Sequence, residues 1–345
     1  MGAEGATFDV NAIIVAIFTV FGAIGALVGC AKGLVRSGVK LASIILAAVV
    51  AFAILPTVVV KAHEVLAPYL EEVPLLAELF TASPTLQEYL PTFVLGLTSP
   101  LIFVILFALC LLIVAIIRGI INAILKAVLP PKHTTLGRIG GFALGAVAGV
   151  MVALCFVFPI AGYFNAVPTI YTNVQEIVST EENPIDPQVE QIIISLPDFP
   201  AVKTVNDLTI EQFEKFVTYN DGERNVCALE ELTTLTSLVQ PAMRFVNSVG
   251  SMSTMDDQSL RDIGAILEDN DKLRVLATEI ANYASKQWLN NETFMGYNLK
   301  EKFDPDYQMV LDLMLADLAT CTTDTIVDVL NKIANTIQVV REIFG

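Results

Sequence analysis

The sequence predicts an all-α fold in which a four-helix polytopic membrane domain, residues 1–164, precedes an acidic soluble α-helical domain, residues 165–345. Of the 345 residues, 54% are hydrophobic and only 16% are charged, whereas soluble domains carry roughly 25% charged residues. Residues 1–163 hold eight Lys or Arg and seven Asp or Glu, while residues 164–345 hold twelve and twenty-nine. A neutral apolar half followed by a polar acidic half indicates a membrane domain joined to an aqueous domain.

Four apolar segments are long enough to cross a bilayer, because about 20 helical residues span the roughly 30 Å of hydrocarbon. These segments are residues 10–31, 39–60, 100–125 and 139–164. The first ten residues contain no Lys or Arg, so the first segment is predicted to be a retained helix and not a cleaved signal peptide.

The charged residues that flank these segments predict their orientation. Basic residues occupy the connections between the first and second segments and between the third and fourth, and basic short loops mark the cytoplasmic side. The connection at residues 61–98 carries five glutamates instead. We therefore expect a multi-pass protein of the cell (inner, cytoplasmic) membrane whose N-terminus, 61–98 loop and C-terminal domain are extracytoplasmic. The candidate membrane-interface charges are Asp9, Lys32, Arg36, Arg118 and Arg138.

The 61–98 loop is expected to be more than a plain linker. Its apolar clusters are interrupted by Pro68, Pro74, Pro84 and Pro91. Because proline stops a helix from continuing, the pattern predicts short, broken amphipathic pieces at the outer membrane interface.

Glycines recur at helical spacing on the first and fourth segments. Residues four apart share one stripe of a helix, and glycine lets two helix backbones approach closely. Three interpretations stay open at this point: packing within one chain, a seam between copies of the chain, or a pore lining. The candidate helix-packing residues are Gly22, Gly25, Gly29 and Gly33 on the first segment, with Gly141, Gly145 and Gly149 on the fourth.

Three short stretches of the membrane half carry a family resemblance. They are Phe8-Asp9-Val10, the run Gly29-Cys30-Ala31-Lys32-Gly33-Leu34-Val35-Arg36, and the run from Leu136 to Gly149 with its arginine and spaced glycines. Over about residues 8–164 the chain resembles the colicin V production (CvpA) family of bacterial inner-membrane proteins. Gly137 stands where that family often has Asn or Asp, and residues 165–345 lie outside its pattern. The resemblance implies a link to toxin production or export and to envelope function, without catalytic residues.

The soluble half is predicted to begin with a loop-rich stretch, residues 165–200, which contains five prolines. Thr209-Ile210-Glu211-Gln212 fits a capping box that opens a helix reaching about Tyr219. The apolar run at residues 189–196 is compatible with a strand or a helix. Periodic apolar residues then predict helices at residues 228–248, 256–268, 271–288, 305–320 and 323–343.

Chemistry-bearing motifs are missing from the sequence. It contains no nucleophile elbow, phosphate loop, zinc-binding His-Glu-x-x-His or Cys-x-x-Cys pattern, so no catalytic residue, cofactor or metal is expected. The acidic excess argues against nucleic acid, whose phosphates require clustered Lys and Arg. Cys227 and Cys321 are the two cysteines of the soluble half, and a disulfide between them is left open.

Two functions from different classes remain for the chain. The first is a non-enzymatic membrane component of toxin production, export or envelope maintenance, anchored in the lipid bilayer. Its outer domain would bind an envelope or secretion protein, and homo-oligomers are possible. The alternative is an oligomeric channel or small transporter lined by the glycine-striped first and fourth helices.

Overall fold

The computed structural model describes residues 9–128, 134–179, 184–220, 222, 224–249, 254–294, 296, 298, 300 and 305–344. Helices make up nearly all of this part of the chain, which confirms the all-α fold class. The exception is one small two-stranded sheet, in which β1 (Thr218–Asn220) pairs with β2 (Asn225–Cys227).

Four helices occupy the described part of residues 9–163, and three helical stretches among the described residues are long and apolar enough to cross a membrane. Those stretches are Val10–Glu71, Pro84–Ile121 and Thr135–Glu176. The individual helices are α1 (Val10–Glu71), α2 (Pro74–Ala82), α3 (Pro84–Val128) and α4 (Thr135–Tyr163).

Helix α1 is divided at Gly33, whose backbone is not helical (φ 77°, ψ 172°). This conformation is essentially restricted to glycine. The Ser37 hydroxyl donates to the Gly29 carbonyl at 3.3 Å, although eight residues of a straight helix would rise about 12 Å. The chain therefore bends sharply at Gly33 into a first arm, residues 10–32, and a second arm, residues 34–71. Two arms with α3 and α4 would supply four crossings, and that count stays a prediction.

The prediction that four prolines break residues 61–98 into short pieces was wrong at two of the four positions. The second arm continues through Pro68 to Glu71, and Pro91 lies inside α3. Pro74 and Pro84 do mark interruptions, because each begins a helix at a position where a missing N–H costs nothing. Ser83 precedes α3 and caps it, since its side-chain oxygen accepts from the Leu86 N–H at 3.1 Å.

The second half adds nine helices among the described residues, with a 3-10 turn at Leu196–Asp198. Residues 165–200 were wrongly predicted to be loop-rich, because α5 and α6 occupy most of them. The nine helices are α5 (Val167–Val178), α6 (Pro187–Ser195), α7 (Pro200–Val217), α8 (Ala228–Ser237), α9 (Val239–Ser248), α10 (Asp257–Glu268), α11 (Asp271–Leu289), α12 (Pro305–Leu318) and α13 (Ile326–Phe344).

Two helix boundaries in this half also differ from prediction. Helix α7 begins nine residues before Thr209, at Pro200, a residue suited to the first helical position. Thr209 therefore caps nothing, and its hydroxyl donates to the Val205 carbonyl within the helix at 2.7 Å. The helix predicted at residues 228–248 divides at Leu238 into α8 and α9. Pro241 explains the break, because its ring would clash with the carbonyl of Ser237 in a continuous helix.

The chain groups into two compact units. The first unit comprises Met1–Ala62, Leu95–Pro168 and Asp186–Tyr219, and its most deeply buried large side chains are Phe103, Phe107 and Phe213. The second unit comprises His63–Val94, Thr169–Ile185 and Asn220–Gly345, with a core that includes Met255, Leu267, Ile326 and Ile337. The predicted domain division after residue 164 stays a prediction.

Inside the second unit, the start of α3 packs on the C-terminal helices through buried polar contacts. The carboxylate of Glu279, on α11, accepts from the Thr85 hydroxyl at 2.8 Å and from the Thr85 N–H at 3.3 Å. It also accepts from the Ser83 hydroxyl. One turn further along α3, the Tyr89 hydroxyl donates to buried Glu231, and the Lys272 ammonium lies 4.6 Å from the centre of the Tyr89 ring. A carboxylate at a helix N-terminus is favoured by the helix dipole.

The stability of the second unit should fall in acid, and Asp312 should account for part of the fall. Lys300 Nζ bonds both carboxylate oxygens at 2.8 and 3.0 Å, and Trp288 Nε1 donates to one of them at 2.8 Å. These partners, Lys300 foremost, hold the pKa of Asp312 below its ordinary value. A lowered folded-state pKa stabilises the fold above the unfolded pKa of about 3.9, and the contribution disappears as the pH falls through the folded value.

We therefore expect thermal stability to decline below about pH 4, and to decline less steeply in Asp312→Asn. Trp288 is the single tryptophan of the chain, so its fluorescence reports unfolding of the second unit. Glu292→Gln, at an exposed position, is the control and should follow the unaltered protein. Equal acid sensitivity in Asp312→Asn and the unaltered protein would contradict the assignment.

Candidate functional site

The glycines of the first arm and of α4 meet face to face within one chain. A Cβ atom added to Gly29 would lie 2.0 Å from the Gly141 carbonyl oxygen, and one added to Gly25 would lie 2.2 Å from that of Gly145. Real Cβ atoms essentially never come within 3.0 Å of such an atom. The two backbones are therefore in direct contact, and only glycine fits at these positions.

The remaining candidate glycines play different parts. Gly149 also faces backbone, since an added Cβ would lie 2.0 Å from the Phe21 carbonyl oxygen. Gly22 is less constrained, because its added Cβ would meet only Val150 Cγ2 at an ordinary 3.5 Å. A Cβ added to Gly33 would lie 3.8 Å from the Gly137 carbonyl oxygen, so glycine is required there by its positive φ instead.

This contact is reciprocal, so both glycine faces are occupied within the chain. A Cβ on Gly141 would approach Gly29 and Gly33, and one on Gly145 would approach Gly25 and Gly29. No lumen fits between backbones this close. A pore lined by both glycine faces would require the first arm and α4 to separate.

Large apolar side chains cover the outside of these same helices. Leu27 on the first arm is 69% exposed, and Ile105, Ile116 and Ile139 on α3 and α4 are similarly exposed. Water-exposed surfaces rarely carry so many contiguous apolar side chains, whereas lipid accommodates them at no cost. The exposed apolar residues of α1, α3 and α4 therefore form a surface suited to contact with lipid.

The predicted interface charges lie at helix ends or at the bend. Asp9 caps α1, because its carboxylate accepts from the Ala12 N–H at 3.0 Å. Lys32 and Arg36 flank the bend at Gly33, the first exposed and the second half-buried. Arg118 is half-buried towards the end of α3, and Arg138 is exposed in the first turn of α4.

An aromatic cluster that was not predicted joins α7 to the membrane helices of the first unit. The Phe216 ring lies 4.7 Å from Phe52, 4.8 Å from Phe103 and 5.5 Å from Phe158, measured between centroids. Phe213 packs directly on Gly162, where an added Cβ would lie 2.3 Å from the Phe213 ring. Phe213, Phe216 and Val217 are all buried. The last turns of α7 are thus part of the same core as α1, α3 and α4.

Asparagines hold the other end of α7. The Asn11 side-chain oxygen accepts from the Ala201 N–H at 2.9 Å, and so caps α7 from the first arm. Asn206 donates to the Asn165 side-chain oxygen at 2.9 Å.

The signal for helix α7 was present in the sequence, because its buried residues recur at helical spacing. The assumed start at Thr209 concealed the first half of that pattern. The buried residues of α7 are Val202, Val205, Asn206, Thr209, Phe213, Phe216 and Val217.

A metal-binding cluster is absent from the part of the chain that the structure describes. No group of three or more His, Cys, Asp or Glu residues there could hold a metal ion. Cys227 and Cys321 are both free thiols, the first half-buried and the second buried. Burial raises the pKa of the Cys321 thiol, which disfavours the reactive thiolate.

Long lipid-facing helices with a bent first helix and backbone-to-backbone glycine packing define an α-helical integral membrane protein. Residues 12–178 match the family model described as Colicin V production protein. The resemblance to the colicin V production (CvpA) family that was predicted over residues 8–164 is confirmed by this match. Neither the curated proteins nor the solved structures include a match.

Proposed function

We propose that this CvpA-like membrane protein is a non-enzymatic component of toxin production, toxin export or envelope maintenance. In this proposal the helices of the first unit anchor the chain in the inner membrane, and the second unit binds an envelope or secretion protein. The observation that carries the proposal is the family match over residues 12–178.

The proposed orientation places the second unit on the extracytoplasmic side. Basic residues flank the bend at Gly33 and the start of α4, which favours a cytoplasmic position for both. Residues 63–94 and residues 220–345 belong to one compact unit. Two segments that pack together must lie on the same side of the bilayer, and the acidic character of both supports the outer side.

An anchor is favoured over a channel by the packing of the first arm on α4. The alternative, an oligomeric channel or small transporter, requires the glycine faces of the first arm and α4 to line a pore. Both faces are occupied by each other in one chain, so they offer no lining. The described residues therefore supply no observation that favours the channel.

One experiment on intact cells tests orientation and partner together. Leu313→Cys, at an exposed position of α12, is treated with a membrane-impermeant thiol reagent that carries a photo-crosslinker. We expect labelling before lysis and, after illumination, a crosslinked product containing an envelope or secretion protein. Leu136→Cys, exposed in the first turn of α4, is the matched control and should be labelled only after lysis.

The two parts of the proposal fail separately. Labelling of Leu313→Cys only after lysis would overturn the orientation. Labelling in intact cells without any crosslinked protein, both at Leu313→Cys and at the exposed positions Met309→Cys and Val246→Cys, would overturn the partner-binding role.

A further inference from the structure

Helix α7 is amphipathic, and its two faces have opposite surroundings. The face with Val205, Phe213 and Phe216 is buried in the first unit, while Lys203, Glu211 and Glu214 are exposed on the other. A helix with one apolar and one charged face is stable where an apolar surface meets water. The two faces of α7 therefore favour a position between the apolar membrane helices on one side and water on the other.

The contacts of α7 reach every one of the four predicted membrane segments. Asn11 belongs to the first segment, Phe52 to the second, Phe103 to the third, and Phe158 with Gly162 to the fourth. Each of these residues lies towards the end of its segment that the charge pattern assigns to the outer side. Helix α7 therefore packs against the outer halves of all four segments.

Two features of α7 favour its release from the membrane helices: an unpaired buried oxygen and a hairpin that directly follows the helix. Asn206 is buried, with only 7% of its surface exposed. Its side-chain oxygen has no hydrogen-bond partner among the described residues. A buried unpaired acceptor disfavours the closed arrangement, and water would satisfy that acceptor on opening. The anchoring residues Phe216 and Val217 directly precede the hairpin of β1 and β2, so a displacement of the hairpin pulls on the anchor.

We propose that α7 is a releasable lid that closes the outer end of the membrane helices, seated by Phe213, Phe216 and Val217 and capped by Asn11. The lid is closed in this structure. Its opening uncovers the aromatic surface of Phe52, Phe103 and Phe158, which is apolar and offers no path for ions.

A disulfide between Gly162→Cys and Phe213→Cys should lock the lid. Phe213 Cγ lies 2.3 Å from the position that a Cβ on Gly162 would take, and Cγ is one bond from its own Cβ. The two Cβ atoms are then within about 4 Å, the separation found in disulfides. A protease site inserted at residues 180–183 lies between the two cysteines in the sequence, so cleavage gives two fragments with one cysteine each. If the disulfide has formed, the two fragments run as one band on a non-reducing gel. Gly162→Cys with Leu208→Cys, on the exposed face of α7, is the control and should not join them.

Opening is measured in full-length protein in membranes by maleimide labelling of Val217→Cys, quantified by mass spectrometry of the peptide. We expect slow labelling of Val217→Cys, and a decrease of about tenfold or more when the lock is oxidised, because locking removes the open state. Reduction should restore the rate. Leu208→Cys, at a position that is 68% exposed, provides the labelling rate of an accessible residue.

Every other outcome overturns the lid. Labelling of Val217→Cys as fast as Leu208→Cys would mean that α7 is not seated in the bundle. Absence of labelling with and without the lock would mean that α7 is a fixed packing element. Failure of the lock to form under oxidising conditions would place Phe213 away from Gly162.

Discussion

Gly29→Ala should disrupt the membrane helices severely, although it adds a single methyl group. The new Cβ would lie 2.0 Å from the Gly141 carbonyl oxygen and 2.9 Å from Gly145 Cα. These are backbone atoms that no rotamer change can move aside, so the first arm and α4 must separate. Overpacking against side chains costs about 1–3 kcal/mol, and we expect at least the upper part of that range. Thermal unfolding and size-exclusion chromatography in mild detergent would show the loss.

Two other glycines make matched controls for this prediction. Gly119→Ala on α3 has no neighbouring atom within 4 Å and should be neutral, or stabilising by up to about 1 kcal/mol through helix propensity. Gly22→Ala would meet only Val150 Cγ2 at 3.5 Å and should be tolerated. If Gly29→Ala behaves like Gly119→Ala, the backbone contact between the first arm and α4 does not exist.

Phe216→Ala should destabilise the first unit by about 3–5 kcal/mol, the usual range for removal of a buried phenylalanine ring. The ring contacts Phe52, Phe103 and Phe158 from three different helices, so the cavity left behind cannot collapse from one side alone. The measurement is the thermal midpoint of the full chain in detergent, followed by circular dichroism.

The comparison for Phe216→Ala lies on the same helix. Leu208 is 68% exposed, and its replacement by Ala should change stability by less than about 0.5 kcal/mol. Similar midpoints for Phe216→Ala and Leu208→Ala would show that α7 does not share the core of the membrane helices.

Features with a local cause were predictable from the sequence. Long apolar segments and their basic connections follow from composition and position alone. Glycines four apart indicate close packing because helix geometry puts them on one stripe. The pairing of the two stripes with each other was one of three interpretations, since the spacing is the same for a partner in the same chain or in another.

Features that depend on distant residues were not predictable. The start of α7 was missed because the capping box at Thr209 is a valid local signal, and the competing start at Pro200 is stabilised by Asn11 from the first arm. Pro91 was taken as an interruption, yet it lies inside α3. There the flanking residue Tyr89 is held by Glu231 and Lys272, far along the chain. Tertiary contacts override local preference in both cases.

The cap of α3 also fixes an order of events during synthesis. Ser83 and Glu279 are 196 residues apart in the chain. At about 5–20 residues per second, the ribosome needs roughly 10 to 40 seconds to make the intervening chain. The beginning of α3 therefore waits without its capping carboxylate while the apolar helices are already being inserted.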